Sequence, residues 1–474
     1  MAPQALLLAL ALVVGLVAGA PPASRADVLE LAALHALVWL VVANAIGVLL
    51  ALLLVAPGLA SALGPLTYGR WVPAHLDLQL YGWCSLPLVA LLMRWLLPER
   101  AVGRAPARAL ALWSAALGAG AAWWLGGHSS GKLFLEWSGA PRLLFAAALL
   151  ALEIVLVAGF LRSGPRPRVE WMLGGALLAA LAVVPFVLFW AASPEVYPPI
   201  NPDSGGPTGV SLLGSTLGIV ALFLLAPPLA GLRPRRTGRA LAIAVLLALH
   251  LAVFSLLELL ARAGTGSASH RDPVQVAALA SLVVWWPLVA RYLRGFDLPR
   301  ETRPWQIAFA IWAAVLVATG VTTFLPGLLD RLKFTNALVA HAHLAMAGMA
   351  SSFLVLVLQL VLRDGRLRSV FRERTAFIAW HAGTAVMVGS LVALGALEAA
   401  DPGRLFRPDP ASDLLYLARL GGGIAMLVAS ARWLGAAQGA TQGATIETRV
   451  AAALRPSAAA TAGALRRKEG RCQS

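Results

Sequence analysis

Long apolar runs follow one another so closely in this chain that little room is left for anything else. A helix needs about 20 apolar residues to cross the hydrocarbon core of a bilayer, and about thirteen stretches meet that measure. They lie near 4–20, 28–57, 74–97, 107–126, 142–161, 170–192, 208–231, 240–261, 273–293, 305–326, 335–362, 375–397 and 412–434. The expected fold is therefore all-α, a polytopic membrane bundle with no separate soluble domain between the runs. Composition fits that class: 59% of the 474 residues are hydrophobic and 13% charged, with a mean hydropathy of +0.78, outside the soluble globular range.

The formal net charge of +16 would suit a nucleic-acid partner if it formed one basic surface. Instead the arginines sit in short loops between apolar runs, where they set topology and meet anionic membrane lipids, so nucleic acid is excluded. One set of loops carries Arg94, Arg100, Arg104 and Arg108, then Arg162, Arg166 and Arg168, then Arg233, Arg235, Arg236 and Arg239, then Arg291, Arg294, Arg300 and Arg303, then Arg363, Arg366, Arg368, Arg372 and Arg374. By the positive-inside rule that face is cytoplasmic. The intervening stretch 192–207 has no Lys or Arg, and in 398–413 acids offset Arg404 and Arg407.

This alternation also sets the chain's divisions. Residues 1–24 lack the basic n-region of a signal peptide, and cleaving them would invert every later loop against its charge. They are expected to form an extra N-terminal transmembrane helix, N-terminus out. Residues 25–434 then hold twelve core spans, I to XII, the even-numbered ones running inward. Residues 435–474, rich in Ala, Thr and Gln, are expected to be a disordered cytoplasmic tail.

Polar chemistry inside the spans is concentrated on histidine. His341 and His343 stand two residues apart in Ala340-His341-Ala342-His343-Leu344-Ala345, at the outer start of span X. A helix turns about 100° per residue, so the two rings face nearly opposite ways and cannot chelate one ion. They can serve two centres, or simply be bonded polar groups in a bundle. His75, at the outer start of span II, shares their depth. His250 is midway along span VII, His35 and His381 lie toward the cytoplasmic side, and His128 and His270 are in outer loops. Only Cys84 and Cys472 occur, so neither a disulfide framework nor a Cys-rich metal site is expected, and no Cys-x-x-Cys-His motif is present for covalent haem.

A His at the outer start of span II and His-x-His at the outer start of span X, within twelve core helices, resemble subunit I of the haem-copper oxidase superfamily. Ala340-His341-Ala342-His343-Leu344-Ala345 is similar to helix X of its nitric oxide reductase branch, and Gly69-Arg70 before Pro73-Ala74-His75 is similar to the C-family oxidases. The resemblance covers about residues 28–434. It implies that His75 and His343 are the axial ligands of a low-spin haem, that His341 is the proximal ligand of a second, and that the haems, one or two, are b-type. It also implies electron transport in a bacterial cytoplasmic membrane, with partner subunits and a cytochrome c or quinol as donor.

The family's copper or non-haem iron is held by one His on helix VI and two on helix VII. Span VI has no His and span VII only His250. The string Trp190-Ala191-Ala192-Ser193-Pro194-Glu195-Val196-Tyr197 is similar to the family's copper-site motif with Ser193 in the ligand position, yet it ends span V. Copper is not expected, and oxidoreductase turnover of oxygen or nitric oxide stays open. Haem propionates call for cationic donors near the outer surface. Arg419, Arg404 and Arg407 are the candidates, the last two with Asp401 and Asp409 as rival partners. Gln79 shares a face with His75, Asp77 does not, and Glu153 and Glu258 are intramembrane carboxyls suited to a proton path or to structural hydrogen bonds. The loop 197–207, dense in turn formers, could cap the site, and the Trp residues are expected as interfacial anchors. Two other readings stand beside this one. One is a membrane transporter or haem/metal assembly factor, which calls for broken helices at the midplane, whereas II and X look continuous. The other is an oxidase completed by ligands from another chain.

Overall fold

The computed structural model describes residues 24–99, 102–193, 195–196, 212–265, 273–325 and 327–454. Among them the only extended pairing is one isolated bridge, Pro234 with Phe296. Twelve long helices follow the apolar runs: α1 (Arg25–Val55), α2 (Tyr68–Leu96), α3 (Ala105–Leu125), α4 (Gly139–Arg162), α5 (Arg168–Ala191), α6 (Leu212–Leu229), α7 (Thr237–Thr265), α8 (Pro273–Ala280 and Leu282–Leu293), α9 (Arg303–Thr323), α10 (Asn336–Val361), α11 (Arg374–Ala400) and α12 (Pro410–Leu454). Ten are long and apolar enough to cross a membrane; α3 and α6 are not among them. The protein is thus an all-helical, multi-pass membrane protein by the length and composition of its helices. The proposed helix at 4–20, the loop 197–207 and His270 lie outside the described residues.

The arginine-rich loops meet at one end of the bundle. Arg25 bonds Glu99 at 3.1 Å, Arg94 reaches Asp364 at 3.5 Å, and Arg372 reaches Glu301 at 3.1 Å. Arg366 holds the buried Glu30 carboxylate at 2.5 Å and Asp27 at 3.2 Å. Ser24 and Asp27 close a reciprocal cap on α1, satisfying free amides of its first turn. Residues from distant loops therefore converge on the same face.

Helix ends at the opposite pole fix the depth of the histidines. Thr335 caps α10 by accepting from Ala337 N at 3.2 Å. Glu398 of α11 accepts from Asn336 N at 2.7 Å and from Asn336 Nδ2 at 2.6 Å. A carboxylate at a helix N-terminus satisfies orphan amides and complements the dipole. Close packing of α11 on α12 rests on small residues, as in other membrane bundles. A Cβ on Gly383 would come within 2.7 Å of the Gly422 carbonyl, and one on Gly422 within 2.7 Å of the Gly383 carbonyl.

Two sequence expectations need correcting. Trp39, Trp83, Trp124, Trp137, Trp305, Trp380 and Trp433 are fully buried, so these seven are core residues and not interfacial anchors. Most of their indole N–H groups are bonded inside the protein, for example Trp305 to the Phe371 carbonyl at 2.9 Å and Trp380 to the Ala347 carbonyl at 3.1 Å. Further, α12 runs on to Leu454, where a disordered tail was expected from Gly435. The segment is polar but Ala-rich and free of Pro until Pro456, and Ala is the strongest helix former.

Candidate functional site

His75 lies seven residues into α2 (68 to 75) and His343 seven residues into α10 (336 to 343). Equal depth in two packed helices brings the rings together, with centroids 6.4 Å apart and planes 24° from parallel. Each Nδ1 is bonded to a backbone carbonyl at 2.8 Å, His75 to Ala43 of α1 and His343 to Val339 one turn back. A carbonyl only accepts, so each Nδ1 carries the proton and each Nε2 has a free lone pair. Among the described residues no hydrogen bond reaches either Nε2. A metal–imidazole bond is about 2 Å, so two imidazoles that would hold one ion through Nε2 would have centroids roughly 6 Å apart. The observed spacing meets that requirement. Fixing the tautomer through an Nδ1–carbonyl bond is the usual outer support of a ligating His.

The rest of the cradle comes from α1 and α12. Gly47 leaves room for the imidazole of His75: a Cβ there would come within 2.7 Å of His75 Cε1. Gln79, one turn below His75, donates to Asn44 Oδ1 at 2.8 Å, and Asn44 donates to Ser430 at 3.1 Å. That chain ties α2, α1 and α12 beneath the ring. Arg419 of α12 is 9% exposed and close enough to act electrostatically on both imidazoles. It has no hydrogen-bond or ion-pair partner among the described residues, and an arginine at such depth calls for an anion. Arg404 and Arg407 differ from it. Arg404 pairs with Asp409 at 2.5 Å and Arg407 pairs with Asp401, so their charges are already met.

Immediately beyond each ring the helix widens. Leu78–Cys84 of α2 and Leu344–Ala350 of α10 are π-helical, a form that gathers at functional sites. Both end on a serine whose hydroxyl bonds the carbonyl five residues back, Ser85 to Leu80 at 2.9 Å and Ser351 to Met346 at 2.8 Å. Trp83 then donates to Ser351 Oγ at 2.8 Å, tying one widened segment to the other. Helices II and X are continuous, as the sequence suggested, but neither is α-helical throughout.

His341 turns away from this pair. It faces α9, where a Cβ on Gly320 would lie 3.1 Å from its Cε1, and its ring meets Phe324 edge-on at 5.7 Å. Its Nδ1 is buried without a partner. His250 bonds Ser281 at 3.0 Å and packs on Phe254 and Trp285. His35 bonds Ser114 at 2.6 Å, and His381 accepts from Trp312 at 3.0 Å. Among the described residues no group of three or more His, Cys, Asp and Glu could hold a metal ion.

Asp77 faces the loop after α3, where its Oδ1 accepts from Glu136 N at 3.4 Å. Glu136 accepts from Gly131 N at 2.7 Å, and burial raises its carboxyl pKa. Burial likewise lowers the pKa of the Lys132 ammonium, which donates to the carbonyls of Ala191 and Ser193. Ser193 therefore contributes its backbone to a loop anchor. Glu153 is buried with Oε1 unpartnered, while the side chain of Glu258 lies outside the described residues.

Sequence reasoning missed Gly47, Ser85, Ser351 and Trp83. The two serines carry a legible signal, each ten or eight residues past a histidine (75 to 85, 343 to 351) in an otherwise apolar run. Comparison with models of known protein families and with curated proteins finds no match.

Proposed function

We propose that this chain is an integral-membrane, haem-binding redox protein built like subunit I of the haem-copper oxidases, in which His75 and His343 would hold one b-type haem. The observation that carries the reading is the imidazole pair, 6.4 Å between centroids, with both Nδ1 atoms committed to carbonyls. Iron held by two neutral imidazoles supplies reversible one-electron transfer. The residues of this chain do the rest. Ala43 and Val339 hold the ring tautomers, Gly47 seats His75, and Arg419 offers the unpaired cation for a propionate.

His341, facing the other way, is the ligand for a second haem. Among the described residues the α6–α8 region offers only His250 toward a further metal, and that ring is bonded to Ser281. The function is accordingly electron transfer at the outer side of a bacterial cytoplasmic membrane, fed by a cytochrome c or quinol through partner subunits. In this reading the arginine-rich end is the cytoplasmic one. Purified protein should give a reduced-minus-oxidised low-spin spectrum and about one or two haems per chain by pyridine haemochrome, with the low-spin component absent in His343→Ala. A protein that stays colourless after haem supplementation would overturn the assignment in favour of a transporter or assembly factor.

A further inference from the structure

A cavity lies at the arginine-rich end, remote from the histidine pair. It has a volume of about 190 Å³ and opens between the loop joining α6 to α7 and the loop joining α8 to α9. Five guanidinium-bearing residues line it: Arg235, Arg236, Arg239, Arg291 and Arg294. The aromatic ring of Tyr292 forms part of the wall, its hydroxyl committed to the Leu224 carbonyl at 2.8 Å. The two loops are tied together by Arg235 N donating to the Gly295 carbonyl at 2.9 Å and by the Pro234–Phe296 bridge. The cavity walls are therefore fixed to one another across some sixty residues of sequence.

Charge in this cavity is badly unbalanced. Arg235 pairs with Asp297, but Arg236, Arg239, Arg291 and Arg294 have no ion-pair partner among the described residues. Topology needs arginine on this side of the membrane, yet it does not need four uncompensated guanidiniums around one concavity, where like charges repel. Arg239 also sits in the first turn of α7, where the helix dipole disfavours a cation. Planar guanidinium forks match tetrahedral phosphate oxygens in pairs. We infer that this cavity is a binding site for a phosphate-bearing anion, either the headgroup of an anionic phospholipid or a free phosphate compound. The inference is independent of the haem assignment.

The test uses the full-length protein in detergent, stripped of lipid. In one arm phosphatidylglycerol and phosphatidylcholine are added at equal mole fraction, and retention is read by native mass spectrometry. In the other, inorganic phosphate and pyrophosphate are titrated while the thermal midpoint is followed. The variants are the triple Arg239→Gln/Arg291→Gln/Arg294→Gln and, as a control for general surface charge, Arg162→Gln/Arg168→Gln on the same face. A headgroup site gives selective phosphatidylglycerol retention that is about tenfold or more weaker in the triple variant and intact in the control. A site for free phosphate gives a saturable rise in thermal midpoint that the triple variant loses. Should the triple variant not fold, Arg294→Gln alone is expected to weaken the same signal about threefold. Equal losses in the triple and control variants, or binding in neither arm, would overturn the proposal.

Discussion

The two sides of the bundle are built to different standards. In the apolar windows of α10 and α2, which carry the histidine pair, 83% and 61% of residues are buried inside the protein, against 11% in α7 and 17% in α5. On the first side several polar groups near the rings are tied to one another: carbonyls hold the Nδ1 atoms, Gln79, Asn44 and Ser430 form a chain, and Trp83 clamps Ser351. On the second, large apolar residues such as Trp171, Phe186, Leu241 and Leu259 face outward, as lipid-facing or partner-facing surface does. Ligands need rigid support to hold a metal at a fixed distance. The densely packed side has that support, and the open side, whose His250 is bonded to Ser281, has neither the support nor a pair of facing imidazoles.

The largest test of this contrast removes one imidazole from each side. His75→Ala or His343→Ala should abolish the low-spin haem spectrum, whereas His250→Ala should leave it unchanged, because His250 Nε2 meets only Ser281. The readout is the reduced-minus-oxidised difference spectrum of purified protein. Loss of colour in His250→Ala alone would break the division between the two sides.

A glycine pair sharpens the same contrast at smaller amplitude. Gly47→Ala puts a methyl where His75 Cε1 would lie 2.7 Å away, while Gly175→Ala in α5 meets nothing within 4 Å. The first should cost about 1–3 kcal/mol through overpacking and weaken haem retention. The second should gain about 0.5–1 kcal/mol from a less flexible unfolded chain. Thermal midpoints with and without added haem distinguish the two, and equal behaviour would mean that Gly47 does not seat the ring.

Much of this was readable before any coordinates, for reasons that differ between fold and site. The spans were legible because a run of apolar residues has to be as long as the bilayer is thick, and α9 and α11 begin and end within a few residues of their runs. The opposed facing of His341 and His343 followed from helical rotation alone. The meeting of His343 with His75 was legible through equal depth. Other features depend on partners that sequence does not pair. Gly47 matters only because α1 crosses α2 at that residue, and the widened turns depend on Ser85 and Ser351 choosing the fifth carbonyl back. The break of α8 near Ser281 and the continuation of α12 past Gly435 were masked by composition, since one run stays apolar across a break and the other stays helical while polar.

The subtlest contrast is between two arginines, Arg407 and Arg419, near the end of the bundle opposite the arginine-rich loops. Arg407 is paired with Asp401 at an exposed site, the side chains 58% and 38% accessible, so Arg407→Gln should change stability by no more than about 1 kcal/mol and leave the haem potential where it was. Arg419 is 9% exposed, acts on both imidazoles and has no partner among the described residues. Removing a positive charge beside the proposed haem would disfavour its reduced, less positive state, so Arg419→Gln should lower the midpoint potential. A unit charge at partly buried range is worth on the order of 1 kcal/mol, or some tens of millivolts. Potentiometric titration of both variants decides the matter: equal potentials would mean that the Arg419 charge is met by something other than the bound group, and that its burial is a matter of packing.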